Sequence, residues 1–165
     1  MYRTRPRRLA ATLLASSLLL VSAGSVAAAD PPGQYVLDVF SCGMTDLEGN
    51  FLDSNAVPAG SEVIVFEGWF AKTRGQLQSF LNNVTWVLTI NGQAADVRPY
   101  LSGLLNFGPF WGDLWSFSAG TLDAGQELHT HYDNVLKSAS FDGDVHWRKG
   151  SLFNGGVDCT VTVAP

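Results

Sequence analysis

Val84-Thr85-Trp86-Val87-Leu88-Thr89-Ile90-Asn91-Gly92 is the stretch that decides the fold. In an extended chain side chains alternate between two faces, so Trp86, Leu88 and Ile90 point the same way. β-Branched and aromatic residues fill the run, as a pleated, half-buried strand requires. Asn91-Gly92 suits the two positive-φ positions of a type I′ turn, which predicts a hairpin. Its second arm runs from Gln93 to Val97 and stops before Pro99, which donates no ladder hydrogen bond.

The same grammar continues on both sides. Upstream, Thr73 with Gln76 three residues later forms a capping box, and Leu77, Phe80 and Leu81 share a helical face. This predicts one short crossover helix ended by Asn82-Asn83. Before it, Val63 to Phe70 is apolar on both faces and reads as a central strand, with Gly68 as the expected bulge. Gln34 to Phe40 reads as the first strand, and Gly43 to Gly60 as a polar loop. Downstream, residues 100–113 form a Gly-rich aromatic connection, followed by strands over Leu114 to Ser118, Glu127 to Tyr132, Val145 to Arg148 and Val157 to Val163. Seven or eight short strands with one helix predict an all-β, antiparallel β-sandwich.

Thr121-Leu122-Asp123-Ala124-Gly125 before an alternating strand, and Cys159-Thr160-Val161-Thr162-Val163 at the end, resemble the last two strands of immunoglobulin-like domains in bacterial surface and secreted proteins. The resemblance covers about the last 50 residues and implies an immunoglobulin-like sandwich. The antibody-type cysteine pair around a Trp is absent, as is the tyrosine corner. A fold of this type implies no activity by itself.

Residues 1–29 read as a cleavable export signal. Arg3, Arg5, Arg7 and Arg8 precede an uncharged Leu/Ala-rich stretch that ends at Ala27-Ala28-Ala29, just before Asp30. The uncharged stretch is also long enough for an anchor, but its Ser, Thr and Gly content favours cleavage. The expected mature domain is residues 30–165, secreted and with no membrane insertion. The whole chain carries 10 Lys+Arg and 15 Asp+Glu. The leader holds four of the basic residues, so the mature domain has six against fifteen, a net −9. Such a surface repels phosphate backbones, which excludes nucleic acid and leaves a protein or glycan as the expected partner. Cys42 and Cys159, the two cysteines of an exported chain, are expected to form a disulfide joining the chain's two ends.

Three groups of residues are candidate sites. Glu127, His129 and His131 fall on one strand face within reach of one metal ion, with His146 as a further ligand. Polar-out alternation accounts for the same pattern without a metal, because Leu128, Thr130 and Tyr132 then face the core. Tyr100, Trp111 and Trp115, in an aromatic stretch with Phe107, Phe110 and Phe117, are the candidate ligand-binding residues, since exposed rings stack on sugar faces; burial in the core is the competing assignment. Carboxylate pairs such as Asp142/Asp144 and Asp53/Glu62 are not placed across a cleft by anything in the sequence. No Gly-x-Ser-x-Gly, His-Glu-x-x-His or phosphate loop occurs, so no catalytic residue and no cofactor are expected. The expected role is a non-enzymatic binding or surface-interaction module, with carbohydrate binding as the alternative and a metal-dependent or hydrolytic enzyme third. Asn83-Val84-Thr85 matches a glycosylation sequon.

Overall fold

The computed structural model describes residues 32–163; the expected leader, 1–29, lies outside the described residues. Six longer strands carry the architecture: β1 Gln34–Asp38, β4 Ser61–Ala71, β5 Val84–Ile90, β8 Trp111–Leu122, β9 Glu127–Leu136 and β13 Val157–Val163. Seven short ones decorate it: β2 Met44–Asp46, β3 Ala56–Val57, β6 Gln93–Ala94, β7 Leu105–Asn106, β10 Ser140–Phe141, β11 His146–Trp147 and β12 Gly150–Ser151. One sheet has the order β2-β1-β4-β8-β7; the other has β3-β13-β9-β5-β6, with β12 added along the far end of β9. β10 and β11 form a separate hairpin.

Period-two burial joins the two sheets. Val63 and Val65 of β4, Trp115 of β8, Leu88 of β5, Leu128 and Tyr132 of β9, and Cys159 and Val161 of β13 share one buried cluster. The Trp115 and Tyr132 rings, one from each sheet, lie 5.8 Å apart. The fold is therefore an all-β sandwich.

The sheets are mixed and not purely antiparallel. β1 runs parallel to β4, and β3 runs parallel to β13. Parallel neighbours need a long crossover, and the supposed loop 43–60 supplies it. After β1 the chain folds back as β2, crosses to pair β3 with β13, then returns to enter β4.

The bulge also differs from expectation. It lies where Val63 and Ile64 oppose Gly120 and Ser118, so Ala119 is the extra residue, with Gly120 at φ 110°. Gly68 is regular in the ladder. A Cβ there would sit 2.3 Å from Leu114 Cδ2, so a larger residue would oblige the Leu114 side chain to move.

The hairpin turn forms as the sequence requires, with Asn91 at φ 50° and Gly92 at φ 77°. Asn91 Oδ1 accepts from the His129 N–H at 2.9 Å and pins the tip to β9. The returning arm is only Gln93–Ala94. Val97 is instead buried and leads into a 3-10 turn, Arg98–Tyr100, that carries Pro99.

Helix α1, Arg74–Asn83, starts at the complete Thr73/Gln76 capping box and buries Leu77 and Phe80. It closes a second, smaller cluster of Phe80, Val84 and Leu136, with Trp69, Leu81, Trp86 and Trp147 packed against it. The Cys42–Cys159 disulfide, spanning 117 residues, ties the loop after β1 to β13 with Cα atoms 5.3 Å apart. Closing a loop of that length contributes about 4–5 kcal/mol in the chain-entropy account.

Candidate functional site

The two apolar clusters are separated by a polar rung. Along β4 the inward order is Val65, Glu67, Trp69; along β9 it is Tyr132, Asn134, Leu136. Glu67 is 5% exposed and lies opposite Trp115 in the β4–β8 ladder. A buried carboxylate is costly unless it is paired. None of the described groups facing Glu67 is cationic. Asp38 and Asp113 are themselves acidic, and the Tyr132 hydroxyl gives its proton to Asn134 Oδ1 at 2.9 Å. Burial pushes the Glu67 carboxyl up to about 7; the charges of Asp38 and Asp113 push the same way, and Tyr132 and Trp115 oppose them. The Trp115 indole N–H acts without reaching hydrogen-bonding geometry and stays among the buried polar atoms lacking a partner. Burial, then the Glu67 charge, raises the Tyr132 phenol well above its ordinary range.

Glu67 lines an open cleft of about 230 Å³ at this end of the sandwich. Four separate segments wall it. Trp69 and Phe70 continue β4 beyond Glu67. Phe40 comes from the loop after β1, two residues from the disulfide, and packs on Phe153 of the β12–β13 loop with ring centroids 4.8 Å apart. Asp142 and Trp147 come from the β10–β11 hairpin. Among the described residues no basic side chain lines the cleft. Phe40 and Phe70 are 49% and 46% exposed, so its mouth is apolar and open to solvent.

The aromatic walls are held in place. Trp69 stacks on Phe80 of α1 at 4.0 Å and 4°, and meets the edge of Trp147 at 5.3 Å. The Trp147 indole donates to Asp142 Oδ2 at 2.6 Å, while Asp142 Oδ1 accepts the N–H groups of Asp144 and Val145, each at 2.8 Å. Burial alone would raise the Asp142 carboxyl, but these donors hold it below its ordinary value. Asp142 thus clamps the hairpin and fixes the Trp147 ring. Its neighbour Asp144 is paired with Lys72 on the surface, so both carboxylates of Asp142/Asp144 are engaged in contacts of the hairpin.

The residues singled out in the sequence lie elsewhere. Trp111 and Trp115 both fall on the inward face of β8. Trp115 is 2% exposed and offers no face to a ligand; Trp111 is half-buried beneath Arg74, 5.9 Å from its ring centroid. Tyr100 is exposed and stacks on Phe117 at 4.6 Å. The three rings form no common strip.

On β9, Leu128, Thr130 and Tyr132 are buried. His129 Nε2 meets Glu127 Oε2 at 3.1 Å, and His131 Nδ1 meets Asp158 Oδ1 at 2.9 Å. His146 is on the β10–β11 hairpin, stacked on Phe141. Among the described residues no group of three or more His, Cys, Asp or Glu is arranged to hold a metal. Both ends of the Asn83 side chain are bonded to Ser138, with Nδ2 donating to its carbonyl at 2.7 Å.

Glu67 had a signal in the sequence: a carboxylate at an inward position of the Val63, Val65, Glu67, Trp69 alternation. Phe40, Trp147 and Phe153 had none, because each sits in a connection. No protein-family model matches the chain, and no curated protein or solved structure is significantly similar to it.

Proposed function

We propose that this protein is a secreted, non-enzymatic binding module, an immunoglobulin-like sandwich that holds its ligand in the cleft at the end of β4. One observation carries this reading. Glu67, buried and without a cationic partner, faces an open cleft walled by clamped aromatic rings. A fold retains such a destabilising group where it serves a site. The non-enzymatic part rests on the surroundings of the groups that do acid–base and nucleophilic chemistry. His129 and His131 are bound to surface carboxylates, His146 is stacked on a Phe, and among the described residues no serine, threonine or histidine lines the cleft with Glu67. The disulfide accords with secretion. The partner is a small molecule or a side chain of a protein, and the acidic surface argues against nucleic acid.

A fragment screen by NMR, reading the indole N–H resonances of Trp69 and Trp147, tests the location. Hits are expected to converge on those two signals. Hits converging instead on the hollow of about 500 Å³ lined by Trp86, Asp96 and Arg98 would move the site away from Glu67. We disfavour that hollow because its Arg98 is already paired with Asp96 through two bonds of 2.8 Å.

Glycan binding keeps one supporting observation, the exposed Tyr100 ring stacked on Phe117. Loss of polysaccharide retention on Tyr100→Ala would favour it.

A further inference from the structure

We infer that the cleft recognises an alkylammonium group, its positive charge drawn to Glu67 and its carbon substituents packed against Trp69, Phe70 and Trp147. This rests on reading the cleft as the binding site and names the chemistry of what it takes.

Charge is the first argument. The groups facing Glu67 from the packed elements are Asp38 at the end of β1, Asp113 on β8, and Tyr132 with Asn134 on β9; Asp142 adds a carboxylate from the hairpin. None is cationic. A carboxylate so placed is neutralised by a proton or by a cation that enters the cleft. The walls are the second argument. Tryptophan and phenylalanine faces attract cations through the ring quadrupole, most strongly where water is excluded. Primary ammonium and methylated ammonium carry apolar carbons around the charge, which matches acid at the floor and rings at the sides. Size is the third. At about 230 Å³ the cleft is smaller than ordinary drug-sized sites of about 300–1,000 Å³, and suits a head group or one basic side chain.

Proton and ligand then compete for Glu67. Its carboxyl titrates near pH 7, so affinity rises with pH through neutrality. The same chemistry is offered by a free quaternary amine and by a lysine side chain of a partner protein, and the probes below separate the two.

The test compares choline with its uncharged carbon isostere, 3,3-dimethylbutan-1-ol, and with butylamine as a stand-in for lysine. Binding to the purified protein is followed at the Trp69 and Trp147 indoles at pH 8 and pH 5.5. Choline or butylamine should bind at least tenfold more tightly than the alcohol at pH 8, and several-fold more weakly at pH 5.5 than at pH 8. Preference for choline identifies a quaternary head group, and preference for butylamine a lysine side chain. Glu67→Gln should remove the charge preference. Phe70→Leu, at an exposed ring, should cost severalfold in affinity while leaving the thermal midpoint in place, so a folding defect cannot imitate the result. Equal binding of choline and the alcohol overturns the inference but leaves the cleft as the site. If all three probes leave the indoles unmoved while other fragments shift them, the cation inference again falls alone. Fragments that bind only elsewhere overturn the underlying reading as well.

Discussion

The two ends of the sandwich are built to different rules. At one end, Val63, Val65, Leu128 and Val161 close a dry interior. At the other, Glu67 and Asn134 interrupt the apolar alternation, and a helix and a clamped hairpin bring aromatic rings around an open cleft. Most buried polar atoms without partners cluster at this second end: Trp69 Nε1, Trp115 Nε1, Asp133 Oδ1, Asn134 Nδ2 and Ser140 Oγ; Thr130 Oγ1 is the remaining one among the described residues. Each such group costs about 1–3 kcal/mol. The first end is organised for stability, and the second gives stability up around the cleft.

The contrast breaks first at the disulfide. Cys42→Ser should lower unfolding free energy by about 4–5 kcal/mol in urea titrations and leave Cys159 reactive to thiol reagents. A loss well under 1 kcal/mol would mean that the fold does not depend on this tie between the loop after β1 and β13.

Glu67 gives the next largest effect. The native state holds its proton more tightly than the unfolded chain, because the carboxyl moves from 4.5 up to about 7 on folding. The stability contributed by the protonated form is complete below about pH 4.5 and is lost as pH rises through about 7. At 1.36 kcal/mol per tenfold change in proton affinity, the loss is on the order of 3 kcal/mol. Glu67→Gln keeps the neutral shape. The stability difference between variant and wild type should therefore grow in the variant's favour between pH 5 and pH 8. A difference that stays constant with pH would contradict the burial of an ionising carboxyl.

At the helix, Thr73→Ala removes the capping oxygen that accepts the Gln76 N–H at 3.2 Å. We expect a loss of about 1 kcal/mol in thermal or urea unfolding, together with a weaker ligand response, because α1 carries the Phe80 ring beneath Trp69. Unchanged stability would show that tertiary packing alone holds the helix. Phe70→Leu sits at the small end of the scale. Stability should stay within about 0.5 kcal/mol, as at other exposed positions, while cation binding weakens. The reverse pattern would return Phe70 to the apolar core.

Much of the frame was legible from local patterns. The Trp86, Leu88, Ile90 alternation and the Asn91-Gly92 turn, the inward Leu128, Thr130 and Tyr132, the strand Val157–Val163, the Thr73 cap and the cysteine pair all follow from period and turn chemistry acting within a few residues. The parallel pairing of β1 with β4 did not, since strand partners are chosen by packing between segments far apart in sequence. The Trp111 and Trp115 rings could be placed only once β8 was seen to begin at Trp111, which sets the phase that turns both inward. The cleft was the least legible part. Phe40, Trp147 and Phe153 converge through a disulfide, a two-rung hairpin and a loop, none of which has a periodicity to read. Glu67 was visible as a polar break in an apolar strand, but its lack of a counter-charge exists only in three dimensions.

The most direct test is an NMR titration of the Glu67 side-chain carboxyl carbon, with and without saturating alkylammonium. We expect a midpoint near pH 7 in the free protein, moving to lower pH when the ligand is bound. A midpoint at the ordinary glutamate value near 4.5, indifferent to ligand, would contradict the account.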